Sequence, residues 1–280
     1  MRKLLFANFS RLWKSKIFWV MEIVSAIIGI IFYVLVIINT RNIGENWYIG
    51  NGNYYFFFVL VYIGVMMAVF SGFYIGTEYS DGTIRNKLAT GHSRTDVYIA
   101  NLVVTVVCGI IFVATHILAS ICVGLPFLGS LFWEAFASVG WRIFTGIIML
   151  VCYGAIFTFF SMQDSNKSRN LIITFVLGLA IILGGLFVYG RLEEPEFISR
   201  MVMQADGKFE KQDGIPNSKY LSGTKRTIYT FVNACIPSSQ AYTIAKYEGE
   251  FSLLPVVCLL AVSTIFTITG IISFKKKDIK

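Results

Sequence analysis

The sequence is short of charge: Asp, Glu, Lys and Arg together make up 14% of its 280 residues, where a water-soluble domain carries about 25%. With 56% of the chain hydrophobic, a soluble fold of this length could not cover its own apolar surface. Histidine is scarcer still. Only His92 and His116 occur, and the one acid at helical spacing from either, Asp96 four residues after His92, lies in a connection, so no metal-ligand set and no Ser-His-acid or His-Glu hydrolytic pattern is present within the apolar runs. Paired aspartates within the apolar runs are missing as well. No Gly-x-x-x-x-Gly-Lys-Ser/Thr run occurs, which excludes a phosphate-loop nucleotide site in this chain. Four of the five cysteines, Cys108, Cys122, Cys152 and Cys258, fall in apolar runs where a thiol serves as a small filler. Cys235 is alone in a polar segment, so there is no disulfide framework.

What the chain has in quantity is long apolar runs and aromatics, the latter 16% of the residues. A helix that crosses a bilayer satisfies every backbone polar group internally and needs roughly 20 apolar residues. Six stretches meet that length: residues 17–38, 54–75, 97–126, 143–162, 171–190 and 251–274. The third is the loosest, since its apolar character continues past Pro126 to Phe132 and its far end is expected to tilt or break. The fold class expected is an all-α polytopic membrane protein with six transmembrane helices, folded as one domain over residues 1–280.

Orientation follows from the basic residues of the connections. Arg2, Lys3, Arg11, Lys14 and Lys16 precede the first span, and Lys275, Lys276, Lys277 and Lys280 follow the last. Arg85, Lys87 and Arg94 follow span two, and Lys167 and Arg169 follow span four. One side thus collects 14 of the 24 bases against Glu78, Asp81, Asp96, Asp164 and Asp278. That side is expected to be cytoplasmic and to hold both termini. Residues 191–250 are placed outside, because the segment from Arg191 to Ser252 carries eight bases and eight acids and no bias to retain it. The net charge of +8 is absorbed by this rule and implies no nucleic-acid partner.

Residues 1–16 interleave bases with Leu4, Leu5, Phe9, Leu12 and Trp13, the pattern of an amphipathic helix lying on the inner leaflet. A cleaved signal peptide fits less well, since the following apolar run is too long and lacks a small-residue cleavage pattern.

Residues 77–96 are the most informative connection. Asp81 is placed to cap a short helix beginning near Gly82, Gly91 suits a left-handed end, and Ser93 with Asp96 forms a capping box for the next span. The result is a two-turn helix held between two spans, although an ordinary solvated connection fits the spacing equally. The run Gly82-Thr83-Ile84-Arg85-Asn86-Lys87-Leu88, preceded by an acid, then Gly91-His92-Ser93-Arg94 and Tyr98-Ile99-Ala100-Asn101, resembles the connection between spans two and three in permeases of the type-2 ABC exporter class. The six-span layout, the basic start and the large segment before the last span are similar to that class too. The resemblance implies that the short helix is a coupling helix that docks on a separate ATPase, with Glu78, Gly82, Thr83, Arg85, Lys87, Leu88, Gly91, Ser93 and Arg94 as the contact positions. It also implies two ATPase copies, a second copy of the permease, and ATP with Mg on the partner, leaving no cofactor in this chain. The loop from Gln163 to Asn170, with Asp164, Lys167 and Arg169, would make a smaller second contact.

Ala68, Gly72 and Gly76 recur every fourth residue at the end of span two, a stripe that lets another helix approach closely. Static packing and a moving contact both fit it. Glu22 lies about two turns inside span one and is expected to reach the interface or pair with a base. His116 lies deeper in span three, where a hydrogen bond to a neighbouring helix is the plainer reading and a proton relay the sharper one. Glu134 and Arg142 are placed either to pair or to sit among headgroups. Pro195 to Ala205 has helical spacing and is expected on the outer leaflet, Asp206 to Gly223 reads as a turn-rich excursion, and Thr227 to Tyr247 as a surface or re-entrant helical pair. Together they would form an outer lid or a purely structural cap.

The function expected is that of the permease subunit of an ATP-driven exporter in the bacterial inner or plasma membrane. Its cargo would be amphipathic or lipid-like, such as a membrane-active peptide or antibiotic, because the spans offer apolar walls and few charges. The alternatives are a membrane-embedded sensor or scaffold, or an intramembrane enzyme without an ATPase partner.

Overall fold

The structure is a computed structural model and is described for residues 1–44, 54–128, 136–203, 209–246 and 252–278. Helix α1 covers Arg2–Trp13, α2 Lys16–Ile43, α3 Val59–Ser80, α4 Thr83–Ala89, α5 Arg94–Leu128, α6 Phe136–Gln163 and α7 Lys167–Leu192. Strands β1 (Phe197–Met203) and β2 (Phe209–Pro216) follow, then α8 (Gly223–Cys235), α9 (Pro237–Lys246) and α10 (Leu254–Lys276). Among the described residues six helices are long and apolar enough to cross a membrane, and each contains or closely matches an expected span. The fourth begins about two turns earlier than residue 143, so Arg142 sits inside a helix. The third runs unbroken through Pro126 to Leu128.

Helix α3 is the axis of the bundle. In its most apolar window 72% is enclosed by neighbouring helices, against 22% for α7. The small-residue stripe explains how α7 comes so close. A Cβ added at Gly72 would lie 2.2 Å from Thr174 Oγ1 and 3.1 Å from the Leu171 Cα, and one at Gly76 would lie 3.1 Å from the Lys167 Cα. A Cβ at Gly178 would in turn meet Ala68 at 2.9 Å. Ala68, Gly72 and Gly76 therefore form the seam between α3 and α7. Around this pair, α2 packs along α5, and α10 along α6. Helices α2 and α5 are parallel, with Ser25 donating to the Phe112 carbonyl at 2.7 Å and Gly29 lying against the His116 carbonyl one turn further on.

Inside the bundle His116 Nδ1 is 2.6 Å from the Tyr62 hydroxyl, the inter-helix hydrogen bond expected of it. Glu22 does not reach an interface: it is buried against α5, beside Thr115. Arg142 is buried with its guanidinium 4.8 Å from the Phe57 ring centroid, and Glu134 lies outside the described residues. With Phe57, Leu60, Ile110, Ile117 and Ile147, Arg142 lines a cavity of about 180 Å³ between α3, α5 and α6.

The segment after α7 differs most from expectation. Residues 197–203 form a strand rather than a leaflet-bound helix, pairing antiparallel with β2, which occupies part of the expected turn-rich stretch. The hairpin base is tied by Asn217, whose side-chain amide donates to Glu194 Oε2 and to the Pro195 carbonyl, both at 2.9 Å. The helical pair expected over 227–247 is present as α8 and α9, split at Pro237. Helix α9 lies on α7, with Tyr242 stacked on Tyr189 at 5.5 Å. Cys235 and Cys258 lie close together, and both cysteines are free.

Candidate coupling interface

Helix α4 is set between two positive-φ glycines, Gly82 at 67° and Gly91 at 89°. Gly82, not the Asp81 side chain, is its N-cap; the Asp81 carboxylate accepts from Ser80 Oγ instead. At the other end His92 N donates to the Lys87 carbonyl at 3.2 Å and Gly91 N to the Leu88 carbonyl at 3.0 Å, the paired bonds of a Schellman cap. Asp96 N donates to Ser93 Oγ at 3.0 Å, which starts α5 where the capping pattern placed it. Seven residues make a poor helix in isolation, so these caps and the packing below them fix its position.

That packing converges on Glu78, the last acid of α3, whose side chain has no exposed surface. Glu78 Oε1 forms ion pairs with Arg11 of α1, at 2.8 Å, and with Lys87 of α4. Its Oε2 accepts from the Asn101 amide of α5 at 2.7 Å. Asn101 Oδ1 accepts from Asn8 of α1 at 3.1 Å, and Tyr74 of α3 donates to the Asn8 carbonyl at 2.8 Å. The Arg11 guanidinium lies 3.8 Å from the Tyr74 ring centroid. One carboxylate thus joins four helices. Burial pulls the Lys87 ammonium below its ordinary value, and the neighbouring carboxylate offsets this only in part.

The expected contact residues therefore divide. Ile84 is buried under α4, and Lys87 and Leu88 are half-buried, whereas Arg85, Asn86 and Ala89 face outward together with Gly91 and Ser93. Glu78 lies beneath this surface as its anchor. Arg94 turns away to donate to the carbonyls of Phe274 (2.8 Å) and Lys277 at the end of α10. Lys277 in turn donates to the Met162 carbonyl at 2.9 Å, which also accepts from the Tyr79 hydroxyl at 2.8 Å. Burial draws the Lys277 ammonium down to about 8, with Asp164 opposing it.

The second loop lies at the same end of the bundle. Asp164 pairs with Arg169 at 3.0 Å and accepts from Asn166 N at 2.8 Å, while Asn166 caps α7 through Arg169 N. Its slight burial would raise the Asp164 pKa, but the Asn166 N–H and the Arg169 guanidinium hold the carboxyl below its ordinary value. Lys167 is directed elsewhere, with its ammonium 4.2 Å from the Phe73 ring centroid. Asp164 and Arg169 thus organise the loop, and Lys167 belongs to the α3–α7 seam.

Among the described residues, a bundle of six membrane-length helices with a short capped helix at one end defines a polytopic membrane protein. Residues 4–181 match the family described as ABC-2 family transporter protein. The match covers more than half of the chain, and the protein belongs to that family. It runs from α1 through α4 and the Glu78 cluster into α7, and β1, β2 and α8 to α10 lie beyond it. No curated protein matches the sequence.

Proposed function

We propose that this transport permease is the membrane subunit of an ATP-driven exporter and receives force at α4 from a separate ATPase. The observation that carries the reading is the construction of α4. Its outward face, Arg85, Asn86 and Ala89, is free to meet a partner, while its inner face buries Ile84 and is tied by Lys87 to Glu78. A push on α4 reaches α1, α3 and α5 through one buried carboxylate. The chain has no phosphate loop of its own, so hydrolysis belongs to the partner. By family resemblance the assembly holds two ATPases and a second copy of this chain, with ATP and Mg bound on the ATPases.

The orientation proposed is basic end inward, in a bacterial plasma membrane. A cysteine at Ser165→Cys should react with a membrane-impermeant thiol label only after permeabilisation, and one at Asp213→Cys in intact cells, both in a Cys235→Ser background. The reverse pattern overturns the orientation. The cargo proposed is amphipathic or lipid-like, because the cavity at Phe57, Leu60 and Ile147 is apolar apart from Arg142. Apolar contact there gains about 25 cal/mol per Å² of area buried, which a hydrated ion cannot collect.

The direct test pairs the purified permease with its ATPase. Arg85→Asp should leave insertion intact, abolish export and leave hydrolysis unresponsive to cargo. Full export by Arg85→Asp would sink the coupling assignment. Stimulation of hydrolysis by sodium or a simple sugar, with none by any amphiphile, would sink the cargo class.

A further inference from the structure

At the elbow between α1 and α2 the helices leave a cleft of about 500 Å³ against α3 and the start of α7. Arg11, Lys14, Lys16 and Lys167 line it, with Asp81 as the one acid. Arg11 is already neutralised by Glu78, but among the described residues Lys14, Lys16 and Lys167 form no ion pair. The cleft therefore holds an excess of cations.

Three further observations point to what it takes. Arg11 Nε is buried with no hydrogen-bond partner among the described residues, an N–H donor held at the wall of a cationic cleft. Ser15 and Lys16, the N-cap and first residue of α2, line the same space, and no side chain caps that helix, so its first N–H groups remain available to an anion. Ile17, Val20 and Phe73 continue the lining with apolar surface, and Val20 is 52% exposed on the outside of the bundle. The site is polar and basic at one side and apolar at the other.

Its depth is marked by tryptophan. Trp13 and Trp19 stand at the elbow about half exposed, their rings 5.9 Å apart, with Trp19 Nε1 donating to the Trp13 carbonyl at 2.9 Å. Exposed tryptophans at the end of a spanning helix sit at headgroup level. A basic pocket between helix ends at that level matches the phosphate of a lipid whose acyl chains run along Val20 and Phe73.

We infer that this cleft binds the phosphodiester headgroup of an anionic phospholipid, holding the α1–α2 elbow against α3 beside the Glu78 cluster. The site does not depend on the transport reaction, nor on which leaflet carries it. The shared chemistry is a phosphate oxyanion, and a free phosphate is the other source to be separated from the lipid.

The test uses the full chain purified in neutral detergent and titrated with phosphatidylglycerol, phosphatidylcholine or inorganic phosphate, read by native mass spectrometry and thermal unfolding. Phosphatidylglycerol should bind about tenfold more tightly than phosphatidylcholine and raise the melting temperature. The triple variant Lys14→Gln, Lys16→Gln and Lys167→Gln should lose that preference while melting as the wild type does in phosphatidylcholine. If the triple variant fails to fold, Lys14→Gln and Lys16→Gln singly, both at exposed positions, should each weaken the preference. Three outcomes overturn the site: equal stabilisation by inorganic phosphate; equal loss on neutralising Lys219, Lys225 and Arg226 at the far end; or unchanged lipid preference with loss of ATPase binding, which would give the cleft to an acidic partner surface.

Discussion

At the basic end of the bundle, α1, α3, α4 and α5 meet at the Glu78 carboxylate, and Arg94 and Lys277 tie the last helix to the same assembly. At the opposite end, β1 and β2 pair chiefly with each other and are tethered at their base by Asn217. The first end is cross-linked between elements distant in sequence; the second is an appendage closed on itself. A region that must transmit force needs the first construction, because displacement of one member then displaces all. A region that covers or uncovers an opening can be built the second way. The family match draws nearly the same line, since it contains the Glu78 cluster and stops before the hairpin.

The contrast can be broken most forcefully at Glu78. Glu78→Ala would leave Arg11 and Lys87 facing each other in a buried site, and removing one partner of a buried ionic pair costs about 3 kcal/mol. The purified protein should melt at a clearly lower temperature and lose coupling. A variant that melts unchanged would show that the cluster does not hold this end together. Gly72→Val comes next. The added groups would collide with Thr174 Oγ1 and the Leu171 backbone, an overpacking cost of about 2 kcal/mol. Gly184→Val meets nothing within 4 Å at its Cβ and serves as the matched control in the same melt.

A smaller effect is expected from pH at Lys277. Its folded value, near 8, lies below that of an unfolded lysine, about 10.4. Between those values the unfolded chain holds more protons, so stability should rise with pH across that window. Lys277→Met should flatten the difference, with melts at pH 7.5 and 9.5 giving the comparison. The smallest effect belongs to the far end. Replacing residues 197–216 with a short Gly-Ser link should change stability by no more than about 0.5 kcal/mol and leave insertion intact, while altering export. A loss as large as that of Glu78→Ala would erase the distinction between the two ends.

Much of this architecture was legible in the sequence because it is written locally. Spans follow from run length, the far end of α4 from Gly91, the start of α5 from Ser93, and a close helix approach along α3 from one residue in four being small, though not that α7 is the partner. Even so, Asp81 and Gly82 exchanged roles, because a glycine with φ of 67° supplies the turn that an aspartate cap would otherwise make. The Glu78 cluster was not legible, since Asn8 and Asn101 lie 93 residues apart and nothing in either neighbourhood names the other. Glu78 consequently read as a contact position, whereas its side chain lies buried beneath α4 and paired with Arg11, Lys87 and Asn101. The hairpin was missed for a related reason. Phe197, Ile198, Met201 and Val202 fall at helical intervals, and what makes them a strand is the partner eight to nineteen residues on. Arg142 escaped because the apolar run begins after it, while the helix begins before.

The Arg94 bond gives the chain a built-in gauge. The guanidinium at the start of α5 holds the carbonyls of Phe274 and Lys277 at the end of α10, so residue 278, just past the clamp and exposed, is tied to the α4–α5 end of the bundle and not to the β1–β2 hairpin. A spin label or fluorophore at Asp278→Cys would therefore register a tug on α4 directly. Its distance to the same residue in a second copy should change with nucleotide on the partner, and should stop changing once Arg94→Gln releases the tether.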